Sequence, residues 1–185
     1  NPIRMVYHGK MDRHRGILKL VLLLDALENN GIEADLSLIG SGDLETHLSE
    51  LSKSKPNLSF KKPIPHSEIG NILQEHQIGL LPMPDLPVWS ISSPLKRSEY
   101  MSSGLLVLGI KHSGHHLPTM NYNLGSYKLF EQQTFVDDSV EQILEWMKDD
   151  NYAKLSTEAR QYAETHLDWS ATTQSLVDVL ESLEE

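Results

Sequence analysis

Two short, uninterrupted apolar runs enclose one long loop in the middle of the chain. The runs are Ile78 to Leu81 and Leu105 to Ile110. Each is too short for a buried helix and neither alternates with polar residues, so both indicate strands that are covered on two faces. Strands of that kind occur in parallel sheets with helices on both sides. This feature restricts the fold to the α/β class.

Strand and helix patterns alternate along the rest of the chain. Further strands are predicted at 3–7, 34–39, 58–60 and 134–136. Amphipathic helices follow the first three of them, and we expect Asp43 to be the N-cap of the second helix. A helix over 95–103 follows Pro94, a capping-box pattern at 139–142 predicts another, and two more end the chain. We therefore predict a Rossmann-like, doubly wound parallel sheet of about six strands, flanked by helices, with a helical C-terminal end.

Length and composition narrow the classes of function. A chain of 185 residues fits a single domain over 1–185, and the lack of cysteine excludes disulfides and thiol catalysis. A formal net charge of -10 argues against nucleic acid as a partner, because binding phosphate backbones needs a basic face. The sequence contains no membrane span. We expect a cytoplasmic protein, because a chain without cysteine suits a reducing compartment.

Four loops of the predicted sheet would emerge at its carboxyl edge. They lie at Gly9, Gly40, Lys62 and Ser92, and all carry glycine, basic or hydroxyl groups. The first of these loops, HGKMDRHRG, places several cations directly before a helix, where the helix dipole does not favour them. This indicates either a bound anion or a solvated basic loop. The convergence of the four loops favours a nucleotide site at this edge.

A histidine-rich loop raises the question of a metal site. His112, His115 and His116 have spacing that would suit zinc, but no cysteine or nearby carboxylate completes a ligand set. Solvated loop histidines are the alternative. We expect no metal and no cofactor.

The run SSPLKRSEYMSSGLLVL resembles the P-x-K-x-x-E-Y-M-x-x-G-x-x-V element of retaining glycosyltransferases of the GT-B fold, the group 1 or family 4 class. The order of the other motifs is similar to that family too: H-G-K-x4-R-G follows the first strand and L-x-L-I-G-S-G-D includes the second. The resemblance extends over nearly the whole chain. It implies a nucleotide-sugar donor-binding, carboxy-terminal half of such an enzyme, without the amino-terminal acceptor domain.

The resemblance also implies roles for individual residues. The donor diphosphate would be held by Lys10 and Arg15, which would act as the catalytic charges, and the ribose hydroxyls would donate to Glu99. The remaining donor-binding residues implied by the resemblance are Gly9, Gly40, Lys62, Ile64, Ser93, Pro94 and Lys96. Two positions differ from the family pattern. Ile91 stands where many members have a second glutamate, and Lys62 stands where a glycine is usual.

Three functions remain open on the sequence. The first is glycosyl transfer from a nucleoside-diphosphate sugar by the full-length protein, in which this fragment would carry only the donor site and be inactive by itself. The second is a non-catalytic nucleotide-binding or regulatory module, which the isoleucine at position 91 favours. The third is half of a nucleotide-sugar epimerase. Any association with the inner face of the membrane would come through the missing amino-terminal half.

Overall fold

In a computed structural model, the strands form one six-stranded sheet. The structure describes residues 1–118, 124–148 and 151–183. All strand pairs are parallel, and the order across the sheet is β3-β2-β1-β4-β5-β6. The strands are β1 (Ile3–Lys10), β2 (Ala34–Ser41), β3 (Leu58–Lys61), β4 (Ile78–Leu81), β5 (Leu106–Ile110) and β6 (Tyr127–Phe130). This order confirms the Rossmann-like, doubly wound sheet.

Helices cover both faces of the sheet. They are α1 (Ile17–Asn29), α2 (Glu45–Ser54), α3 (His66–Leu73), α4 (Pro87–Ser90), α5 (Leu95–Ser102), α6 (Phe135–Trp146), α7 (Asn151–His166) and α8 (Trp169–Ser182). Short 3-10 turns lie at Arg13–Arg15 and Ser113–His115. Within residues 1–118, 124–148 and 151–183, none of the helices combines the length and apolar character needed to cross a bilayer.

Alternation along the strands divides the core into two layers. Met5 and Tyr7 of β1 pack with α1 and α6, whereas Val6 packs on the opposite face with α3, α5 and α7. The central strands β4 and β5 are buried at every position, as the two apolar runs predict. Burying a large aliphatic side chain contributes roughly 1.5–3 kcal/mol, so these two layers provide most of the driving force for folding.

The pairing of β1 with its two neighbours is unequal in length. β1 pairs with β2 from Ile3–Ala34 to Lys10–Ser41, whereas its register with β4 consists of Met5–Ile78 and Val6–Gly79. After β1 the chain continues to β2, and after β4 it continues to β5. These two strands lie on opposite sides of the β1–β4 pair. The loops after β1 and β4 therefore separate and leave a crevice at the carboxyl edge.

Three local predictions are wrong. The sixth strand is Tyr127–Phe130, and residues 134–136 instead lead into α6, where the Thr134 hydroxyl donates to Asp138 Oδ2 at 2.6 Å. The predicted capping box at 139–142 lies inside α6, and its Ser139 is buried. Asp43 is not the N-cap of α2, because its Oδ1 accepts from the backbone N–H of Arg13 at 2.8 Å. Residues 119–123, which follow the histidine-rich loop, lie outside the described residues.

Candidate functional site

The crevice at the carboxyl edge is bordered by the end of β1, the loop before α4 and the start of α5. In doubly wound sheets this position, where the strand order reverses, is the usual place for a ligand. Lys10 ends β1 and is exposed. Lys10 is two residues after His8, which contacts α5. The crevice therefore has a cation at its rim.

Glu99 of α5 lies between two histidines. Its Oε1 accepts from His66 Nε2 at 2.8 Å, and its Oε2 lies 3.2 Å from His8 Nε2. The interaction with His8, opposed by burial, and the hydrogen bond from His66 lower the pKa of Glu99 from 4.5 to about 2. The carboxylate is therefore ionised at any physiological pH and can act as a hydrogen-bond acceptor at both oxygens.

Lys96 passes directly over Gly9. A Cβ built at Gly9 would lie 2.7 Å from Lys96 Cε, and the φ of +129° at this residue is one that side chains rarely adopt. The Lys96 ammonium lies 5.6 Å from the centre of the Tyr7 ring. Burial, together with the charge of Arg15, lowers the pKa of Lys96. The backbone conformation is what favours glycine at position 9, because the end of a flexible lysine side chain could move aside.

Arg15 is held in place by groups from two loops. Its guanidinium carbon lies 4.4 Å from the centre of the Trp89 ring, and its Nε lies 3.4 Å from Asp12 Oδ2. The His14 ring also stacks on Trp89, at 5.8 Å between centres and 10° between planes. A guanidinium over an indole face is stabilised by the ring quadrupole. These contacts therefore fix the position of the second predicted cation at the crevice.

Gly40 and Gly9 face each other across β1 and β2. The two residues are register partners, and a Cβ at Gly40 would lie 1.7 Å from the Gly9 carbonyl oxygen. The φ of +156° at Gly40 also disfavours any other residue. A close approach between neighbouring strands is therefore sufficient to require glycine at position 40, whether or not a ligand lies nearby.

The start of α5 is fixed by a buried arginine. Pro94 is the N-cap of α5, and Ser93 Oγ accepts from Arg97 Nη2 at 3.2 Å. Arg97 is 5% exposed and its Nη1 donates to the backbone carbonyl of His116. The first N–H groups of a helix lack intrahelical partners and can donate to a ligand. Because Arg97 fixes the start of α5, it also fixes the position of these donors at the crevice.

The loop after β3 reaches the same edge of the sheet. Lys62 is exposed, whereas Ile64 is half-buried and packs against the core layer of α3. His66, two residues further on, contacts Glu99. Of the ten residues predicted for the site, these contacts bring Gly9, Arg15, Lys96 and Glu99 into one cluster. Lys10, Gly40, Ser93 and Pro94 border this cluster, and Lys62 and Ile64 lie in the loop that His66 connects to it.

Three residues of this site were missed from the sequence: His8, His66 and Trp89. The signal for His8 was a histidine that follows the apolar run Met-Val-Tyr and directly precedes a glycine. His66 follows the Pro-Ile-Pro segment at the start of a helix, which was a weaker signal. Nothing in the local sequence marks Trp89, because its role depends on a loop that folds back onto Arg15. Ile91, in the same segment, is 90% exposed.

Two histidines of the histidine-rich loop pack against each other at the end of β5. In the part of the chain that the structure describes, no three His, Asp or Glu side chains are grouped so that they could hold a metal ion. The rings of His112 and His115 lie 3.8 Å apart, and His115 Nδ1 lies 2.6 Å from the carbonyl oxygen of Ile110. Burial lowers the pKa of His115 to about 3, so this ring is neutral and part of the core.

No protein-family model and no curated protein sequence matches the chain. Its fold does match solved glycosyltransferase structures. With pneumococcal O-GlcNAc transferase GtfA, in complex with UDP and GlcNAc, the TM-score is 0.71 at 15% identity over 100% of this chain and 36% of that chain. Sucrose-phosphate synthase from Thermosynechococcus elongatus gives a TM-score of 0.75 at 18% identity, covering 98% of this chain and 45% of that chain.

A third match is of similar size to this chain. The catalytic domain of cholesterol-α-glucosyltransferase from Helicobacter pylori gives a TM-score of 0.70 at 15% identity, covering 90% of this chain and 99% of that chain. This chain spans about a third of the length of the GtfA chain. At such identities the likeness is one of fold. The chain has the fold of the C-terminal domain of GT-B glycosyltransferases.

Proposed function

We propose that this domain binds the nucleotide-sugar donor of a retaining glycosyltransferase, and that another domain of the protein supplies the acceptor site. The observation that carries the proposal is the arrangement at the crevice: an ionised carboxylate, Glu99, lies one helical turn from a half-buried cation, Lys96, at the start of α5. A nucleoside diphosphate has the matching order of groups, with a ribose diol that donates hydrogen bonds and a diphosphate that is negative.

Glu99 would bind the ribose. A carboxylate accepts at two oxygens, and the two vicinal hydroxyls of a ribose donate from one side of the ring. The pKa of about 2 ensures that Glu99 does not become a donor at neutral pH. No other ionised carboxylate is needed for this contact.

The diphosphate would lie between the end of β1 and the start of α5. Lys10, Arg15 and Lys96 provide positive charge there, and the backbone from Ser93 to Lys96, including the helix start after Pro94, provides N–H donors. Gly9 keeps the backbone at the end of β1 free of a side chain. This placement is supported because the helix start and the three cations together offer the donors and the positive charge that a diphosphate needs.

The base would meet the loop after β3. Lys62 and Ile64 lie in this loop, whose Pro-Ile-Pro segment leaves backbone groups free for a ligand. The contact of His66 with Glu99 supports a short path from the ribose to this loop. Gly40, at the end of β2, would form the floor between them.

The chemistry assigned to the domain is electrostatic. As the sugar leaves, negative charge develops on the diphosphate, and Lys10 and Arg15 would stabilise it without a metal ion. The acceptor hydroxyl would come from the amino-terminal domain, so we expect the 185-residue chain to bind donor without transferring the sugar. A cytoplasmic location, with any membrane contact made by that other domain, belongs to the same proposal.

A non-catalytic nucleotide-binding module is the second candidate. The exposed Ile91 favours it, because a carboxylate that could contact the sugar is absent at this position. The two candidates differ in what the full-length protein does with a donor. Transfer of the sugar to an acceptor supports the enzyme, unchanged donor supports the module, and an epimerised donor would indicate the third function considered above.

Calorimetric titration of the 185-residue chain with UDP, GDP and their sugars tests the proposal. We expect one of the two nucleotides to bind, and Lys10→Ala or Arg15→Ala to weaken its binding about tenfold or more, as loss of a charge-assisted contact does. Lys53→Ala, an exposed lysine in the last turn of α2 at the opposite edge, is the matched control and should leave affinity unchanged. Absence of binding by the unaltered chain, or equal affinity of all variants, refutes the donor site.

A further inference from the structure

The two histidines that contact Glu99 differ in how firmly they are held. His8 is 9% exposed, and its ring meets the edge of the Tyr100 ring at 5.4 Å and 89°. Its backbone N–H also donates to the Tyr100 hydroxyl at 3.4 Å. Tyr100 itself is fully buried and follows Glu99 in α5. His8 therefore has little freedom to move away from Glu99 Oε2.

His66 is held much less firmly. It is the first residue of α3, and 85% of its side chain is exposed. Its Nε2 lies 2.8 Å from Glu99 Oε1, on the side of the carboxylate that faces the loop after β3. An exposed pair of this kind is weak and exchanges readily with water or with another donor.

A ribose that donates to Glu99 must therefore compete with only one of the two histidines. Oε2 lies 3.2 Å from the nitrogen of a buried ring, whereas Oε1 is hydrogen-bonded to an exposed one. The carboxylate stays ionised when His66 leaves, because its charge has a second stabilising partner in His8. Lys96, three residues earlier on α5, interacts with the charge of Glu99.

We propose that His8 is a positioning residue for Glu99 and that His66 is a latch, meaning a side chain that occupies Glu99 Oε1 in the empty domain and leaves it when a ribose hydroxyl arrives. This inference rests on the proposed donor site. Every ribonucleotide must displace His66 from Glu99, and this displacement lowers its affinity. His8 keeps the Glu99 carboxylate in the orientation on which recognition of the ribose depends.

Opposite signs are expected for the two substitutions. His66→Ala removes the competitor, so the chain should bind UDP or GDP about two- to fivefold more tightly, the small factor reflecting a weak exposed pair. His8→Ala leaves Glu99 free to turn, so binding should weaken about tenfold. His8→Gln keeps a side-chain donor and should restore part of the affinity. His47→Ala, an exposed histidine on α2, is the control and should change nothing.

A comparison of ribose with 2′-deoxyribose separates positioning from general damage. We expect the unaltered chain to prefer UDP to 2′-deoxy-UDP, or GDP to its deoxy analogue, and His8→Ala to reduce that preference along with the affinity. A merely structural defect would weaken both ligands equally. In a Glu99→Ala background, His66→Ala should no longer tighten binding, because there is no carboxylate to release.

The outcomes distinguish the latch from the donor site. If the unaltered chain binds neither UDP nor GDP, the proposed function fails and the latch with it. If it binds one of them and His66→Ala binds it equally or more weakly, the latch is wrong while the donor site stands. If His8→Ala weakens ribose and deoxyribose ligands by the same factor, the positioning role of His8 is wrong. Tighter binding in His66→Ala that disappears without Glu99 supports the inference.

Discussion

Glu99 gives the domain a measurable dependence of stability on pH, independent of any ligand. Its pKa is about 2 in the folded chain against an ordinary value of 4.5. A carboxyl with a depressed folded pKa stabilises the protein fully above its unfolded pKa, and that contribution is lost as the pH falls through the folded value. The shift corresponds to about 3 kcal/mol in the free energy of unfolding, of which about 2 kcal/mol is lost between pH 6 and pH 3.

Glu99→Gln removes this titration and leaves the size of the side chain unchanged. We expect the difference in the free energy of unfolding between the unaltered chain and the variant to be about 2 kcal/mol larger at pH 6 than at pH 3. Urea unfolding at several pH values measures it. Using the difference cancels the titration of the other carboxylates, which both proteins share.

Glu131→Gln provides the control. Glu131 pairs with Lys111 at 2.8 Å, but its side chain is 62% exposed and such surface pairs contribute little. The difference between this variant and the unaltered chain should therefore change little over the same range. A pH-independent difference for Glu99→Gln would show that the two histidines do not stabilise the carboxylate, and it would remove the basis for an ionised acceptor at the crevice.

Three further substitutions test the packing around the site. Gly40→Ala should destabilise the chain by about 3 kcal/mol or more in urea unfolding, since its Cβ would meet a carbonyl oxygen at 1.7 Å. Gly70→Ala lies in a helix with nothing within 4 Å of its Cβ and should instead stabilise the chain by up to about 1 kcal/mol. Equal effects of the two substitutions would contradict the reasoning. Arg97→Met should cost about 1.5–3 kcal/mol in the same assay, because a buried charged donor is lost from a part-buried hydrogen bond to the His116 carbonyl, and a loss below about 1 kcal/mol would show that the start of α5 does not depend on it. Trp89→Leu should weaken nucleotide binding about two- to tenfold in calorimetry by removing the ring beneath Arg15, and unchanged affinity would show that Arg15 is ordered by other groups.

The central part of the fold could be predicted from the sequence because it depends on local patterns. The run Ile78 to Leu81 is buried at every position, as its unbroken apolar character indicates, and β5 lies within the second run. Helix α5 begins directly after Pro94, where proline fixes the entry of the chain. In these segments the residues that decide the structure lie next to one another in sequence.

Errors arose where the structure depends on distant contacts. β6 has the sequence Tyr-Lys-Leu-Phe and lies at the edge of the sheet, so its apolar pattern is short and interrupted. It forms a strand because β5 pairs with it from Val107 to Ile110. The segment at 134–136 has better strand propensity but no strand beside it. Asp43 has the chemistry of an N-cap, yet Arg13, 30 residues away, takes its carboxylate.

The same reasoning explains which parts of the site were found. Glu99, Lys96 and Arg15 belong to motifs whose spacing can be read from the sequence. His8 and His66 act only because the ends of β1 and the start of α3 meet above α5, a fact that the fold supplies and no short segment contains. Sequence reasoning therefore identified the charged groups but not the groups that orient them.

The short pairing of β1 with β4 has a mechanical consequence. It divides the sheet into two three-stranded plates that share a seam at Met5–Ile78 and Val6–Gly79. The cations proposed to hold the diphosphate, Lys10 and Arg15, follow one plate, whereas Glu99 follows the first strand of the other. A nucleotide bound as proposed would span the seam, so its binding energy would stiffen the sheet against sliding at the place where backbone pairing is shortest.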